Sequence, residues 1–274
     1  MGASKVSAVP APPAAAPSSR TRRAMRLIPL WTQREVRAQY RQSALSVGWA
    51  LLTPVIMLIG YGLVLTSAFD VSRGLSVPYA TFAWTGLVVW TFMANGILRG
   101  TSSLVSSADL LRKTALPYEV VPISAVAAVG LDLVLGLLAL VGLMIVQGTS
   151  ISVQVVAVPF VLLAAFVWTA GAALVLGTVT AFVRDGVHGL AVVLRIGVFV
   201  TPVMYPMSQV PEQYRWLIDL NPFAVFIESV RQPLLYHQWP DWELLGLHTL
   251  GGVLLVVVGL AYLRRVEGRI ADVI

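Results

Sequence analysis

The residues able to do chemistry are few. Three histidines, His188, His237 and His248, stand far apart, and with no cysteine beside them they form no metal-ligand pattern. No GxxxxGK[ST] loop is present, so the chain lacks that backbone cradle for the phosphates of ATP. No paired acidic clusters suggest Mg²⁺-diphosphate chemistry. What remains is a set of charges in apolar surroundings. Asp132 and Arg195 lie inside apolar runs, at depths of roughly 18 Å and 12 Å from the same side at 1.5 Å per helical residue. An unpaired charge there costs at least about 2.5–3.5 kcal/mol, so each needs a partner or water. The two are expected to pair within a subunit or to face a hydrated path together; alternatively, Arg195 snorkels to the interface and Asp132 bonds a hydroxyl. Glu228 and Arg231 are spaced i, i+3 on one helical face. This pair either stabilises its segment or helps to gate an exit.

The elements that must carry these groups are membrane helices. The chain has 274 residues, of which 57% are hydrophobic and 12% charged, and its mean hydropathy is +0.81. Soluble domains carry about 25% charged residues, so a water-soluble enzyme is excluded and a polytopic membrane protein is expected. The net charge of +6 is no nucleic-acid footprint, because Lys5, Arg20, Arg22, Arg23, Arg26, Arg34, Arg37 and Arg41 precede the first apolar run. Basic residues beside an apolar run mark the cytoplasmic side.

Apolar runs at 45–66, 79–98, 120–146, 153–182, 187–204 and 244–263 approach or exceed the roughly 20 residues needed to cross a bilayer. The segment 218–235 holds Asp219, Asn221, Glu228 and Arg231, which a lipid-facing span does not tolerate. With six spans and both termini inside, the flanking Arg99, Arg112, Lys113, Arg184, Arg264, Arg265 and Arg269 join the N-terminal cluster on the cytoplasmic side. Only Arg73, Arg215 and Arg231 fall outside. The segment 218–235 is then re-entrant or interfacial, buried in protein or lining a cavity. Residues 1–19 read as a disordered Ala/Pro/Ser tail without a signal-peptide core. Residues 20–42 read as a basic, modestly amphipathic juxtamembrane segment whose interface helix Pro29 starts, the alternative being a plain basic anchor on anionic lipid. Residues 43–274 form the transmembrane domain.

Between the second and third runs, RGTSSLVSSADLLRKTALP encodes a short helix. Ser106 or Ser107 can cap it, Asp109 falls in its first turn, Arg112 and Lys113 fall in its last, and Pro117 stops it. Leu110 and Leu111 give it an apolar edge, so it is either a docking element for a soluble partner or a solvated connector. Asp185 is placed to cap the fifth span.

The stretch TPVMYPMSQVPEQYRWLIDLNPFAVFIESVRQPLL, 201–235, resembles the outer hairpin of permease subunits of type-2 ABC exporters, the branch exporting O-antigen, teichoic acid and related lipid-linked polysaccharides. The matching positions are Pro202, Tyr205, Pro206, Pro211, Tyr214, Asn221, Pro222, Glu228 and Arg231. RQSALSVGWALLTPVI at 41–56 resembles the start of the family's first span. LLRKTALPYEVVPIS at 110–124 resembles its coupling segment, and FVRD at 182–185 its turn before the fifth span. The coupling segment departs from the pattern at Thr114-Ala115, where a bulky residue is common. The resemblance implies an all-α polytopic fold with six transmembrane helices, an N-terminal amphipathic interface helix, a cytoplasmic coupling helix and an outer re-entrant hairpin. It implies a homodimer in the inner (cytoplasmic) membrane with two cytoplasmic ATPase subunits. ATP and Mg²⁺ are bound by those partners, no cofactor by this chain, and lipid-linked glycan passes between the two copies. Residues that would line such a channel are Trp84, Trp90 and Phe92 of the second span with Phe199 and Tyr205 of the fifth. The competing readings are an exporter of a drug or simple lipid, a membrane enzyme of polyprenyl-linked glycan synthesis, and a secondary transporter.

Overall fold

The computed structural model describes residues 17–41, 46–69, 75–114, 116–183 and 185–273. Most of the expected tail, together with Ala115 and Arg184, lies outside these. Every regular element among the described residues is helical. In chain order they are α1 (Pro17–Arg41), α2 (Ser46–Phe69), α3 (Tyr79–Ser106), α4 (Ala108–Lys113), α5 (Val120–Val146), α6 (Val158–Thr180), α7 (Gly186–Val200), α8 (Arg215–Asp219), α9 (Pro222–Leu235) and α10 (Trp242–Val273). Among the described residues, four helical stretches are long and apolar enough to cross a membrane: Tyr79–Ser106, Val120–Val146, Val153–Thr180 and Trp242–Ile270. Leu52–Ser67 and Gly186–Val200 are shorter apolar helices.

The architecture is a bundle built around α3. Its Phe82, Leu87, Trp90 and Met93 are buried against Val126 and Val129 of α5, Val161 and Ala165 of α6, and Phe226 and Val230 of α9. The stretch 81–90 of α3 is buried on every side, as suits a helix in such a central place. Helices α6 and α10 approach closely because both carry glycine at the contact: a Cβ on Gly171 would lie 2.8 Å from the Val256 amide nitrogen. One on Gly252 would lie 2.9 Å from the Trp168 Cα. Small residues let membrane helices pack backbone to backbone, where dispersion rather than hydrophobicity drives association.

The near end of the bundle gathers the start of α1, the helix α4, the start of α5 and the end of α10. A second core lies there, joining Ala24, Leu104, Leu111, Tyr118, Val120, Leu263 and Ile270. The far end holds the loops 75–78 and 147–152 and the irregular stretch 201–221.

Several boundaries differ from expectation. Pro29 lies inside α1, which begins twelve residues earlier at Pro17. The basic run is helical because Arg20 and Ala24 dock on the near-end core. The fourth apolar run opens with a 3₁₀ turn, Val153–Ala157, before α6. The fifth stops at Val200, because Thr201 turns extended ahead of Pro202, as residues before proline do.

Candidate functional site

Two constellations draw residues from distant parts of the chain, one at each end of the bundle.

At the near end, α3 runs almost directly into α4. Asp109 occupies the first turn of α4, and Arg112 and Lys113 the last, each charge matching the helix dipole. Side-chain capping by serine does not occur. Ser107 ends α3 and starts α4 at once, so its backbone is near-helical and its side chain makes no cap bond. Its carbonyl instead accepts from the amides of Leu110 and Leu111 at 3.1 and 3.0 Å. Leu111 is buried in the near-end core and Leu110 half-buried, while Asp109, Arg112 and Lys113 are exposed. A short helix thus keeps its polar face free and its apolar face anchored.

Beside it sits a group that sequence reasoning did not single out. Glu119 is 2% exposed and lies just before α5. Arg20 donates to it through Nε at 3.2 Å and Nη2 at 2.8 Å, and Arg264 donates through Nη2 at 3.0 Å. Arg20 also pairs with Glu267 at 2.8 Å. Burial pushes the Glu119 carboxyl up, but hydrogen bonds from Arg20, from its own backbone and from Arg264 outweigh this and hold it below the usual carboxylate range. The same bond to Glu119 raises Arg20. One carboxylate therefore ties α1, α5 and α10 together. The signal available in sequence was a lone acid at the start of an apolar run, among arginines of segments expected on the same side.

Helix α1 climbs along α5 from this clamp. The Ser124 hydroxyl donates to the Ile28 carbonyl at 3.2 Å. Farther up, Gln39 donates to both oxygens of Asp132 at 3.3 and 3.1 Å, and the Tyr40 hydroxyl donates to Oδ1. The expected pairing of Asp132 with Arg195 is thereby corrected. The acid is satisfied by α1, while Arg195 lies on the exposed side of α7. Periodicity could place both at similar depth but could not tell which helix neighbours α5. Arg99 of α3 donates to Gln39 Oε1, extending the polar chain across three helices.

At the far end, the hairpin 201–235 is organised by two side chains. Asn221 caps α9: its Oδ1 accepts from the Phe223 amide at 3.0 Å, its Nδ2 donates to Thr201 Oγ1 at 2.8 Å, and Pro222 follows at the first helical position. Arg231 is fully buried. It donates to the carbonyls of Pro202 at 2.8 Å, Phe82 at 3.3 Å and Val203. Its guanidinium lies 3.7 Å from the Phe82 ring centroid. Glu228 stands 3.7 Å away as its ion partner. The planar fork of arginine suits this task, since five donors can serve several carbonyls that a broken helix leaves exposed. Gly86 makes the space: a Cβ there would overlap both the Val203 carbonyl and the Arg231 guanidinium. The Tyr205 hydroxyl donates to the Val200 carbonyl at 2.9 Å, and Pro206 is buried beside it.

The expected channel aromatics divide. Trp84, Trp90 and Phe92 are buried within the subunit, which corrects their assignment to a channel wall. Trp84 donates to the Gly136 carbonyl at 3.0 Å, and Trp90 packs 4.7 Å from Phe223. They are core because α3 is surrounded. Phe199 is 56% exposed and Tyr205 half-buried. Asp185 precedes α7 but makes no side-chain cap; its carbonyl accepts from Gly189 at 3.1 Å. Among the described residues no cluster of His, Asp or Glu could hold a metal.

The sequence model of the ABC-2 type transporter family matches residues 26–235, a stretch holding α2 to α9, the whole far-end constellation and the near-end one apart from its residues in the first turns of α1 and in α10. An O-antigen export system permease protein RfbA of Klebsiella pneumoniae is 25% identical over 250 residues, covering 90% of this chain and 95% of the relative. A protein of the same name from Myxococcus xanthus is 30% identical over 227 residues, covering 81% and 86%. A helical bundle with a short polar-faced helix at one end and a pinned hairpin at the other, matched over most of its length, belongs to the ABC-2 type transporter family.

Proposed function

We propose that the chain is the permease subunit of an ATP-driven exporter of lipid-linked polysaccharide, acting as a homodimer with two ATPase subunits in the cytoplasmic membrane. The observation that carries this reading is the near-end clamp. Helix α4 turns its charges outward and buries Leu111 against helices that Glu119 ties together. A soluble ATPase bound to α4 would move α1, α5 and α10 as one body. The relatives' names supply the O-antigen class of cargo.

The positive-inside pattern of the sequence puts the near end in the cytoplasm. With α2 and α7 as further crossings, the chain then spans six times. Both termini face the cytoplasm, α1 is the interface helix, α4 the coupling helix and 201–235 the outer hairpin. A second copy belongs against α7. That helix buries only Val198 while exposing Val192, Val193, Ile196 and Phe199 around Arg195. Lipid on every exposed side of a helix bearing mid-span Arg195 is costly. A partner subunit enclosing a hydrated path removes that cost and places Phe199 and Tyr205 beside the cargo.

The test is reconstitution. Proteoliposomes holding this chain and its ATPase should translocate lipid-linked polysaccharide only with ATP, and the chain alone should hydrolyse none. Turnover of ATP by the isolated chain, or export of simple lipid in preference to glycan, would reject the assignment.

A further inference from the structure

Three far-end segments meet around a cavity of 580 Å³: the loop before α3, the loop after α5 and the loop after α9. Its polar wall is Gln147, Thr149, Ser150, Tyr236, His237 and Gln238, and none of its described lining residues is charged. We propose that this cup is a binding site for a neutral oligosaccharide segment, held as it leaves the membrane. The proposal rests on the export reading for its biological occupant and on the cup's own chemistry for its ligand class.

Sugar hydroxyls both donate and accept, and a site for them needs both capacities without fixed charge. The cup supplies them. His237 Nε2 lies 2.9 Å from the Ser150 carbonyl, and a carbonyl only accepts, so Nε2 carries the proton in the neutral ring. Nδ1 is then a bare acceptor. Thr81 donates to Gln147 Oε1, which fixes that amide and leaves its NH₂ as a donor. The hydroxyls of Thr149 and Ser150 serve in either sense. His237 has a φ of 55°, the one positive φ outside glycine among the described residues. A non-glycine residue held in the left-handed region marks a conformation that its surroundings enforce, and such strain gathers at ligand sites. Next along the chain, Trp239 and Trp242 are exposed with ring centroids 6.3 Å apart. They offer apolar faces for a pyranose ring within four residues of Gln238 along the chain. A cavity of this size lies within the range that holds a small organic ligand.

The cup is tested on the whole permease in nanodiscs, without its ATPase, by saturation-transfer NMR and titration with mannotetraose. Trigalacturonate serves as the anionic competitor. Mannotetraose should bind and trigalacturonate should not compete. The exposed variant Ser150→Ala should weaken binding by about threefold to tenfold, the value of one neutral hydrogen bond. His237→Gly with Gln238→Ala should weaken it at least as much, glycine keeping the positive φ without strain. Gln209→Ala, exposed outside the cup, should leave binding unchanged. Wild-type affinity in both cup variants, preference for trigalacturonate, or no binding to a permease that does export glycan would overturn the site. Cup-dependent binding by a permease that exports no glycan would uphold the site and reject the export reading instead.

Discussion

Arg20 and Glu119 stand 99 positions apart and share a two-point ion pair, Nε at 3.2 Å and Nη2 at 2.8 Å from the two carboxylate oxygens. The carboxylate is almost wholly buried and the guanidinium partly so. Breaking a buried pair from one side leaves a desolvated charge, which costs about 3–5 kcal/mol. Removing a base is the more harmful the less remains to neutralise Glu119. Arg20→Ala should therefore destabilise more than Arg264→Ala, since Arg20 supplies two of the three arginine bonds and also holds Glu267. Thermal unfolding in nanodiscs reads the order directly, and equal losses would show that the three-helix tie is shared evenly.

The same clamp has a pH signature. Glu119 is held below the usual carboxylate range, because the arginine and backbone hydrogen bonds outweigh the opposing effect of burial. A carboxyl whose folded pKa is depressed contributes stability above its unfolded pKa and loses it as pH falls through the folded one. Wild-type stability should thus hold from neutrality to the ordinary carboxylate range, then drop as pH falls further. Glu119→Gln should be less stable near neutrality and lack that acid-side drop. Parallel stability–pH curves for the two proteins would contradict it.

At the far end the sensitive position is a glycine. Gly86→Ala places a methyl group where the Val203 carbonyl and the Arg231 guanidinium now sit. Neither can retreat without breaking the bonds that pin the hairpin. The expected result is a subunit that inserts but whose 207–214 loop is cleaved faster by added protease. Arg231→Lys should behave alike, because an ammonium cannot serve three separate carbonyls as a planar fork does. Unchanged cleavage in both would remove Arg231 as the pin.

Much of this arrangement was legible in residue order, and the remainder has physical reasons for staying hidden. The dipole-matched charges of 109–113 predict α4, and the proline-rich polar stretch predicts a broken hairpin. Both are local signals, carried within one or two helical turns. Glu119 was not singled out because its partners come from opposite ends of the chain, where basic residues read equally well as lipid anchors. Trp84 and Trp90 misled for a related reason: an aromatic inside a membrane helix looks the same facing a channel or a neighbouring helix. Only the packing of α3 on α5, α6 and α9 decides between them.

In α4, Leu111→Pro removes the amide that donates to the Ser107 carbonyl at 3.0 Å and costs roughly 3 kcal/mol as an interior proline. The change also disturbs the near-end core, so a second variant separates docking from folding. Arg112→Glu with Lys113→Glu alters only exposed side chains. It should lower thermal stability by no more than about 2 kcal/mol, the scale of two charges set against the helix dipole, while weakening ATPase co-purification. Full ATPase binding by the charge-reversed protein would place the docking surface elsewhere.

The last prediction concerns which residue keeps Asp132 in the bundle. Tyr40 and Gln39 donate to it from α1, whereas Arg195 lies on the exposed side of α7. Residues sharing a hydrogen-bond network show coupling of about 0.5–3 kcal/mol in double-mutant cycles, and residues without shared partners add. A cycle of Asp132→Asn with Tyr40→Phe should be non-additive, because the second change removes a donor whose acceptor the first has already weakened. A cycle of Asp132→Asn with Arg195→Gln should be additive within about 0.5 kcal/mol. Export should separate the two as well. Arg195→Gln acts on a surface that a second copy would cover, so transport should fall with little loss of subunit stability. Tyr40→Phe should lower both together by loosening α1 from α5. Strong coupling between Asp132 and Arg195 in stability would bring the two helices together in the working transporter and reverse this assignment.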